Sequence, residues 1–176
     1  MVDLKEFEQK AADLRVLGMK ISIGQDTVYE KYWDEDCRRN IYSASKSFTS
    51  CAVGFAVQEG LIDLDERLMD AFKEDIPNNP DENLKKATVK DLLTMTLGQE
   101  KGFLMGKQRP RMEEQNWVKA SLAIPFVYEP GTHFVYNNVG PYLAGILVQR
   151  RAGCDLLSYL TPRLLKPLGI RKTIWE

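Results

Sequence analysis

Ser43 and Lys46 lie three positions apart in the polar segment Ile41–Thr49, immediately before a helical apolar pattern that runs to Gly60. Residues three apart on a helix share a face, so the lysine amine can reach the serine hydroxyl. A serine hydroxyl becomes a nucleophile only when a neighbouring group takes its proton, and a helix N-terminus favours the negative charge that then develops. The spacing therefore indicates nucleophilic catalysis, with Ser43 attacking and Lys46 taking its proton.

The same segment also has a non-catalytic interpretation. Ser43 or Ser45 could cap the helix, with Lys46 as a solvated charge in its first turn. A Ser-x-x-Lys spacing is expected about once by chance in a chain of this length. In both interpretations the helix buries one apolar stripe, which is predicted to consist of Phe48, Cys51, Ala52, Phe55 and Ala56.

A second pair of polar residues, Tyr136 and Asn138, follows the turn Glu129–Thr132 and precedes a predicted helix, Gly140–Gly153. Each residue has a structural alternative, since an asparagine in this place can cap the helix and a tyrosine can pack half-buried in a loop. Capping and packing do not require the two residues at this spacing after a Pro-Gly turn. The pair becomes a candidate second part of the site only together with the match of the sequence around it.

The order Ser-x-x-Lys and then Tyr-x-Asn resembles the serine β-lactamase and penicillin-binding protein superfamily, in its class C-like, esterase and D,D-peptidase branch. The segments Thr88–Thr96, Pro130–Gly145 and Pro167–Gly169 match that family as well, and the resemblance runs from about Met19 to the last residue.

The resemblance implies that Ser43 attacks an amide or ester carbonyl and forms an acyl-enzyme. Lys46 would take the proton, Tyr136 would pass protons to the leaving group and assist the deacylating water, and Asn138 would orient Lys46 and the substrate amide. The Ser43 N–H would supply half of the oxyanion hole. A β-lactam, a D-alanyl peptide and a simple ester all remain open as the substrate.

A third motif of the family, Lys-Thr-Gly or His-x-Gly, is expected downstream of Asn138 but is not found there, because Lys172–Ile174 lacks the glycine. We therefore expect the C-terminal strands of the sheet to be missing. A truncated gene product, a proteolytic fragment or a protomer completed by pairing would each explain this. Whether the chain is an enzyme is accordingly open. The alternatives are a catalytically incompetent fragment that serves as a binding or interaction module, and a helical domain with coincidental motifs.

The composition narrows the class of partner. The net charge is −1 with no basic run, which disfavours nucleic acid, and no apolar stretch is long enough to span a bilayer. We expect a small-molecule or peptide substrate with an amide or ester bond, and a homo-oligomer formed through an exposed sheet edge. No signal peptide is recognised, which predicts a cytoplasmic protein, or a secreted one if a leader was removed.

Cysteine and histidine usage predicts neither disulfides nor a metal site. The three cysteines, Cys37, Cys51 and Cys154, are widely spaced, which predicts reduced thiols, with Cys51 as a small buried hydrophobe. The single histidine, His133, has no neighbouring cluster of metal ligands. We therefore expect no metal and no cofactor.

The predicted fold is α/β (α+β) of β-lactamase/transpeptidase type: a helix-rich body on a partial antiparallel sheet. We expect a single partial domain, 1–176, in which residues 1–40 form a helix plus a hairpin and residues 41–176 are mainly helical. The predicted elements are a helix Asp3–Leu17 capped by Asp3, strands Met19–Ile23 and Thr27–Trp33, helices Thr88–Met95, Glu113–Leu122, Gly140–Gly153 and Asp155–Leu165, and an exposed loop Gly98–Pro110 at the cleft. The first helix is expected to form its apolar face from Leu4, Phe7, Ala11 and Leu14, and Thr88 and Asp91 are expected to form a capping box at the start of theirs.

Overall fold

A computed structural model describes residues 4–11, 13–35, 37–171 and 173–175, and the chain divides into two units, Met1–Ile41 and Tyr42–Glu176. The division lies one residue from the predicted boundary between the hairpin region and the helical region. The assignment of both units to one partial domain stays a prediction.

The first unit combines a short helix with a β-hairpin. Helix α1 spans Lys5–Ala11, strand β1 spans Gly18–Ile23 and strand β2 spans Asp26–Tyr32. The strands pair antiparallel, with a register irregularity between Ile21 and Ser22. The alternation of apolar and polar residues along both strands is typical of such a pair, because successive side chains point to opposite faces.

Helix α1 is tied to the hairpin by one aromatic contact and one polar cluster. The ring of Phe7 meets the ring of Trp33 edge to face, with centroids 6.0 Å apart. Glu8 accepts a hydrogen bond of 2.8 Å from the hydroxyl of Tyr29 and forms an ion pair with Lys31. These contacts explain why so short a helix is stable, since a helix of this length needs tertiary packing.

The two strands lie within one residue of their predicted bounds, whereas the predicted helix Asp3–Leu17 is too long. Residues 13–15 form a turn in which Arg15 has a φ of +53°, so the helix ends at Ala11. Leu14, predicted on the apolar face, is 68% exposed. The predicted N-cap, Asp3, lies outside the described residues.

The second unit is built from helices with short connections. In chain order they are α2 Ser45–Gln58, α3 Leu68–Ala71, α4 Glu82–Lys86, α5 Val89–Thr94, α6 Trp117–Leu122, α7 Val139–Ala152 and α8 Leu156–Leu160. A π-helical turn, Thr161–Leu165, continues α8. In the part of the chain that the structure describes, no helix has both the length and the apolarity to cross a membrane.

The core of the second unit forms where α2 packs on α7 and α8. Helix α2 buries Thr49, Ala52, Val53 and Ala56, whose small side chains let the helices approach closely. Opposite them on α7, a Cβ added at Gly145 would lie 3.7 Å from Cγ2 of Thr49.

The predicted buried stripe of α2 is therefore partly wrong. Ala52 and Ala56 are buried and the two phenylalanines are half-buried, but Cys51 is exposed. Because α7 and α8 contact the side of α2 that carries Thr49 and Val53, the buried face is rotated away from Cys51. The prediction of Cys51 as a core residue is wrong for the same reason.

Helix α5 and the first turn of α7 approach backbone to backbone. The predicted capping box is confirmed: Asp91 Oδ2 accepts hydrogen bonds from the backbone N–H and the hydroxyl of Thr88, each 2.9 Å long. A Cβ added at Gly140 would lie 2.2 Å from the carbonyl oxygen of Leu92. Only glycine therefore fits at position 140, and α5 becomes a fixed support for the start of α7.

Two predictions for the middle of the chain need correction. Helix α6 begins at Trp117, not Glu113, because the Asn116 side chain accepts the N–H groups of Val118 and Lys119 and starts the helix there. The predicted exposed loop Gly98–Pro110 buries Gln99, whose side-chain amide donates to the Ser121 carbonyl oxygen at 2.9 Å. Leu104 in the same loop is also buried.

Candidate active site

Ser43 lies in a 3₁₀ turn, Tyr42–Ala44, that leads directly into α2. Tyr42 has a φ of +46°, a conformation that non-glycine residues rarely adopt and that clusters at functional sites. The N-cap residue of α2 is Ala44, and no side chain caps the helix. The interpretation of Ser43 or Ser45 as the helix cap is therefore wrong, and the Ser43 hydroxyl is available for other contacts.

Two polar side chains converge on the Ser43 hydroxyl. Lys46 Nζ donates a hydrogen bond of 3.0 Å to Ser43 Oγ, and the Tyr136 hydroxyl donates one of 2.7 Å to the same oxygen. Lys46 Nζ also lies 5.3 Å from the centroid of the Tyr136 ring, within the range of a cation–π contact. Two donors directed at one oxygen favour negative charge on it, as a nucleophile requires.

The phenol of Tyr136 is electrostatically coupled to its two neighbours. Its hydrogen bond with Ser43, and after that its hydrogen bond and charge interaction with Lys46, lower the pKa of the Tyr136 hydroxyl from its ordinary value of 10.0. The side chain is 45% exposed, so solvent reaches the ring. A phenol with a lowered pKa exchanges its proton more readily near neutral pH than a free tyrosine does.

The backbone around Tyr136 is held on both sides by loop segments. The Val135 N–H donates to the Met95 carbonyl oxygen at 3.0 Å, and the Asn138 N–H donates to the Phe103 carbonyl oxygen at 3.2 Å. A Cβ added at Gly102 would lie 2.7 Å from the Tyr136 carbonyl oxygen, so this glycine allows the two chains to touch.

Asn138 follows Tyr136 by two residues, and its side chain is directed at the loop that contains Leu104 and Met105. Its amide Nδ2 donates to the Leu104 carbonyl oxygen at 2.9 Å and lies 3.6 Å from Met105 Sδ. Asn138 is the N-cap residue of α7, but its side chain makes no capping bond. The structure thus brings Ser43, Lys46 and Tyr136 into one hydrogen-bonded group, whereas the predicted role of Asn138 toward Lys46 and substrate stays a prediction.

Two residues of the site's surroundings were absent from the sequence-based prediction. The Asn137 side chain Oδ1 accepts the Gly140 N–H at 3.1 Å, and the Leu104 carbonyl receives the Asn138 amide while Leu104 itself has a φ of +56°. An asparagine just ahead of a predicted helix is a recognisable capping signal. No sequence signal points to Leu104, because its conformation is imposed by tertiary contacts.

The described residues contain no group of three or more His, Cys, Asp or Glu side chains that could hold a metal ion. His133 stacks on Tyr128 with ring centroids 4.2 Å apart, and its Nδ1 lies 2.8 Å from the Thr132 hydroxyl. The histidine therefore helps to order the turn that precedes Tyr136.

Comparison with known proteins relates most of the chain to one family model. The model described as "Beta-lactamase" matches residues 5–176, which include all four predicted site residues. A solved structure, the octameric penicillin-binding protein homologue from Pyrococcus abyssi, superposes with a TM-score of 0.73 and 25% identity, over 99% of this chain and 45% of that one.

Two curated relatives each share 31% sequence identity with this chain. Monacolin J acid methylbutanoyltransferase of Aspergillus terreus is 31% identical over 157 residues, which cover 78% of this chain and 37% of the relative. Lovastatin esterase of Penicillium rubens is 31% identical over 150 residues, which cover 73% of this chain and 37% of the relative. The chain thus matches little more than a third of the length of these relatives.

Proposed function

The chain belongs to the beta-lactamase family, and we propose that it is a serine hydrolase or acyltransferase that acts on an amide or ester through an acyl-serine intermediate at Ser43. The observation that carries the proposal is the pair of hydrogen bonds, 3.0 Å from Lys46 and 2.7 Å from Tyr136, that meet at Ser43 Oγ. The fold of β-lactamase/transpeptidase type is confirmed, with a helix-rich body and a two-stranded antiparallel sheet in the described residues.

The proposed reaction begins when Ser43 Oγ forms a bond to the substrate carbonyl carbon and its proton passes to Lys46. The carbonyl oxygen becomes an oxyanion near the N-terminus of α2, a 14-residue helix whose first N–H groups favour negative charge. When the carbonyl reforms, the bond to the leaving group breaks and Tyr136 supplies the proton that the leaving group needs. The product of this half-reaction is the Ser43 ester.

In the second half-reaction a water molecule or an alcohol attacks the Ser43 ester, and Tyr136 takes the proton of the attacking hydroxyl. When the carbonyl reforms, the bond between the acyl carbon and Ser43 Oγ breaks, the carboxylic acid or the new ester leaves, and Lys46 returns its proton to Ser43 Oγ. The lowered pKa of Tyr136 supports this assignment, because the phenolate becomes accessible closer to neutral pH. Asn138 is proposed to orient the substrate amide once its bond to Leu104 is exchanged for one to the substrate.

An ester is the substrate class that we propose to test first, since two relatives are named as an esterase and a methylbutanoyltransferase. The match to little more than a third of these relatives leaves the activity of the whole protein as part of the proposal. Three further points are also proposals: the single partial domain, a cytoplasmic location and self-association through the edge of the hairpin. The competing proposal is a catalytically incompetent module, which would keep the hydrogen-bonded group at Ser43 but form no acyl-enzyme.

Intact-mass spectrometry after incubation with a p-nitrophenyl alkanoate, and separately with a penicillin, tests the proposal. We expect an acyl adduct on the unaltered protein and on the matched control Ser45→Ala, which removes a neighbouring hydroxyl outside the hydrogen-bonded group. Ser43→Ala should give no adduct. An adduct that persists in Ser43→Ala would overturn the nucleophile assignment, and no adduct in any variant would favour the incompetent module.

A further inference from the structure

Asn137, the middle residue of the Tyr-x-Asn segment, is the most deeply buried of the three. It is 1% exposed, whereas Tyr136 is 45% exposed and Asn138 is half-buried. Burial of an amide is unfavourable unless its polar atoms find partners. A buried asparagine between two exposed or half-exposed site residues therefore needs a structural reason.

The reason is a bond to the start of α7. Asn137 Oδ1 accepts the Gly140 N–H at 3.1 Å, and this N–H is one of those that a helix leaves without an intrahelical partner. No capping bond comes from the N-cap residue Asn138. The Asn137 side chain therefore takes over the cap and ties the backbone of residue 137 to the helix.

The helix turn to which Asn137 is tied cannot move easily. Gly140 packs against the Leu92 carbonyl oxygen so closely that a Cβ would lie 2.2 Å from it. On the other side, a Cβ at Gly102 would lie 2.7 Å from the Tyr136 carbonyl oxygen and 3.8 Å from the Asn137 Cα. The backbone of Tyr136 and Asn137 is thus fixed between the Gly102 loop and α7.

Tyr136 depends on this arrangement because its hydroxyl must meet Ser43, 93 positions away in the sequence, at 2.7 Å. Tyr136 is 45% exposed, so the position of its hydroxyl depends largely on the backbone from which the side chain extends. The other amide atom of Asn137, Nδ2, is buried without a hydrogen-bond partner among the described residues. The bond that holds the Asn137 side chain is therefore the one that its Oδ1 accepts from Gly140.

We propose that Asn137 is a positioning residue for Tyr136: its bond to the first turn of α7 fixes the backbone from which the Tyr136 hydroxyl reaches Ser43. The inference rests on the proposed function, since it assigns Tyr136 to proton transfer at Ser43. It does not give Asn137 any contact with the substrate.

A double-mutant cycle measures whether Asn137 acts through Tyr136. We expect Asn137→Ala to lower kcat/KM for a p-nitrophenyl ester by about 10-fold, mainly through kcat, when Tyr136 is present. In a Tyr136→Phe background the same change should alter kcat/KM by less than about 2-fold. Equal losses in both backgrounds would overturn the proposal, because a merely structural role does not depend on the phenol.

Two further variants separate positioning from a loss of fold. Asn137→Asp keeps an acceptor for the Gly140 N–H at the positive end of α7 and should recover kcat/KM to within about 3-fold of the unaltered protein. Asn116→Ala removes the cap of a different helix, α6, and serves as the control. Its effect on kcat/KM should be the same with tyrosine or with phenylalanine at position 136. Failure of Asn137→Asp to recover any activity while it melts at the unaltered temperature would count against the proposal.

A readout without substrate keeps the inference testable if the ester is not turned over. The absorbance difference at the phenolate band between the protein and its Tyr136→Phe variant titrates Tyr136 alone. Asn137→Ala should raise the pKa of Tyr136 toward its ordinary value of 10.0, because the bond with Ser43 that lowers it is lost. An unchanged titration would overturn the inference, whereas an unreactive Ser43 with a shifted titration would count only against the proposed function.

Discussion

At the scale of single residues, Tyr136 has the contact that local sequence rules could not provide. Ser43 lies in the 3₁₀ turn and Lys46 in the first turn of α2, three positions further on, so their 3.0 Å contact is a local one that the spacing predicts. The 2.7 Å bond between Tyr136 and Ser43 joins residues 93 apart. It was predicted only through the family resemblance, and neither periodicity nor composition would have found it.

The pH dependence of deacylation provides a test of Tyr136. A depressed pKa means that the phenolate, the form that accepts a proton from water, is populated at lower pH than in a free tyrosine. We expect the deacylation rate to rise with pH and to level off above a pKa below 10.0. Tyr136→Phe should lose this rise and slow deacylation by about 10²-fold or more, measured as decay of the acyl adduct by mass spectrometry. A rise retained in Tyr136→Phe would assign the titration to another group.

At the scale of elements, two helical glycines, Gly140 and Gly54, differ in the space available for a side chain. Gly140 has no room for a Cβ because the Leu92 carbonyl oxygen is rigid backbone, whereas nothing lies within 4 Å of a Cβ added at Gly54 on α2. Gly140→Ala should lower the free energy of unfolding by about 1–3 kcal/mol. Gly54→Ala should raise it by about 0.5–1 kcal/mol, because alanine is the better helix former.

Urea denaturation of these two variants gives the measurement, with the midpoint as the readout and the slope as a check on two-state behaviour. The matched pair uses the same chemical change in two helices of the same unit. If Gly140→Ala proved as stable as Gly54→Ala, the close approach of α5 and α7 would be wrong.

Element identity was more predictable than element extent. The hairpin, the capping box of α5 and the glycine that ends α7 all depend on residues near one another in sequence, and the structure has them as predicted. The end of α1, the start of α6 and the buried face of α2 depend on what packs against each helix. Cys51 shows the difference, since its spacing fits a buried stripe but no described helix covers that side of α2.

At the scale of the whole molecule, a buried carboxylate, that of Asp75, connects separate segments of the second unit. Asp75, in the segment after α3, accepts hydrogen bonds from Asn116 Nδ2 at 2.9 Å and from Arg150 on α7 at 2.7 Å, and its side chain is only 4% exposed. It therefore links three separate parts of the unit. Because the Arg150 side chain is partly exposed, solvent screens its ion pair with Asp75 and reduces the contribution of that pair to stability.

Asp75→Ala should lower the free energy of unfolding by about 2–3 kcal/mol, because it leaves two donors without their acceptor. Thermal melting should shift downward by about 2–4 °C per kcal/mol. Asp70→Ala, an exposed aspartate on α3, is the matched control and should change stability by no more than about 0.5 kcal/mol. Equal effects of the two changes would show that Asp75 is not a link of this kind.

The exposed thiols have a consequence for any chemistry attempted on this chain. Cys37, Cys51 and Cys154 are all free and exposed, and Cys51 lies on the same helix that Ser43 precedes. Activated esters also acylate thiolates, so a labelled protein can carry thioesters as well as an oxygen ester. Neutral hydroxylamine cleaves thioesters much faster than oxygen esters. A label that survives this treatment, maps to the peptide containing Ser43 and is absent from Ser43→Ala therefore reports the serine.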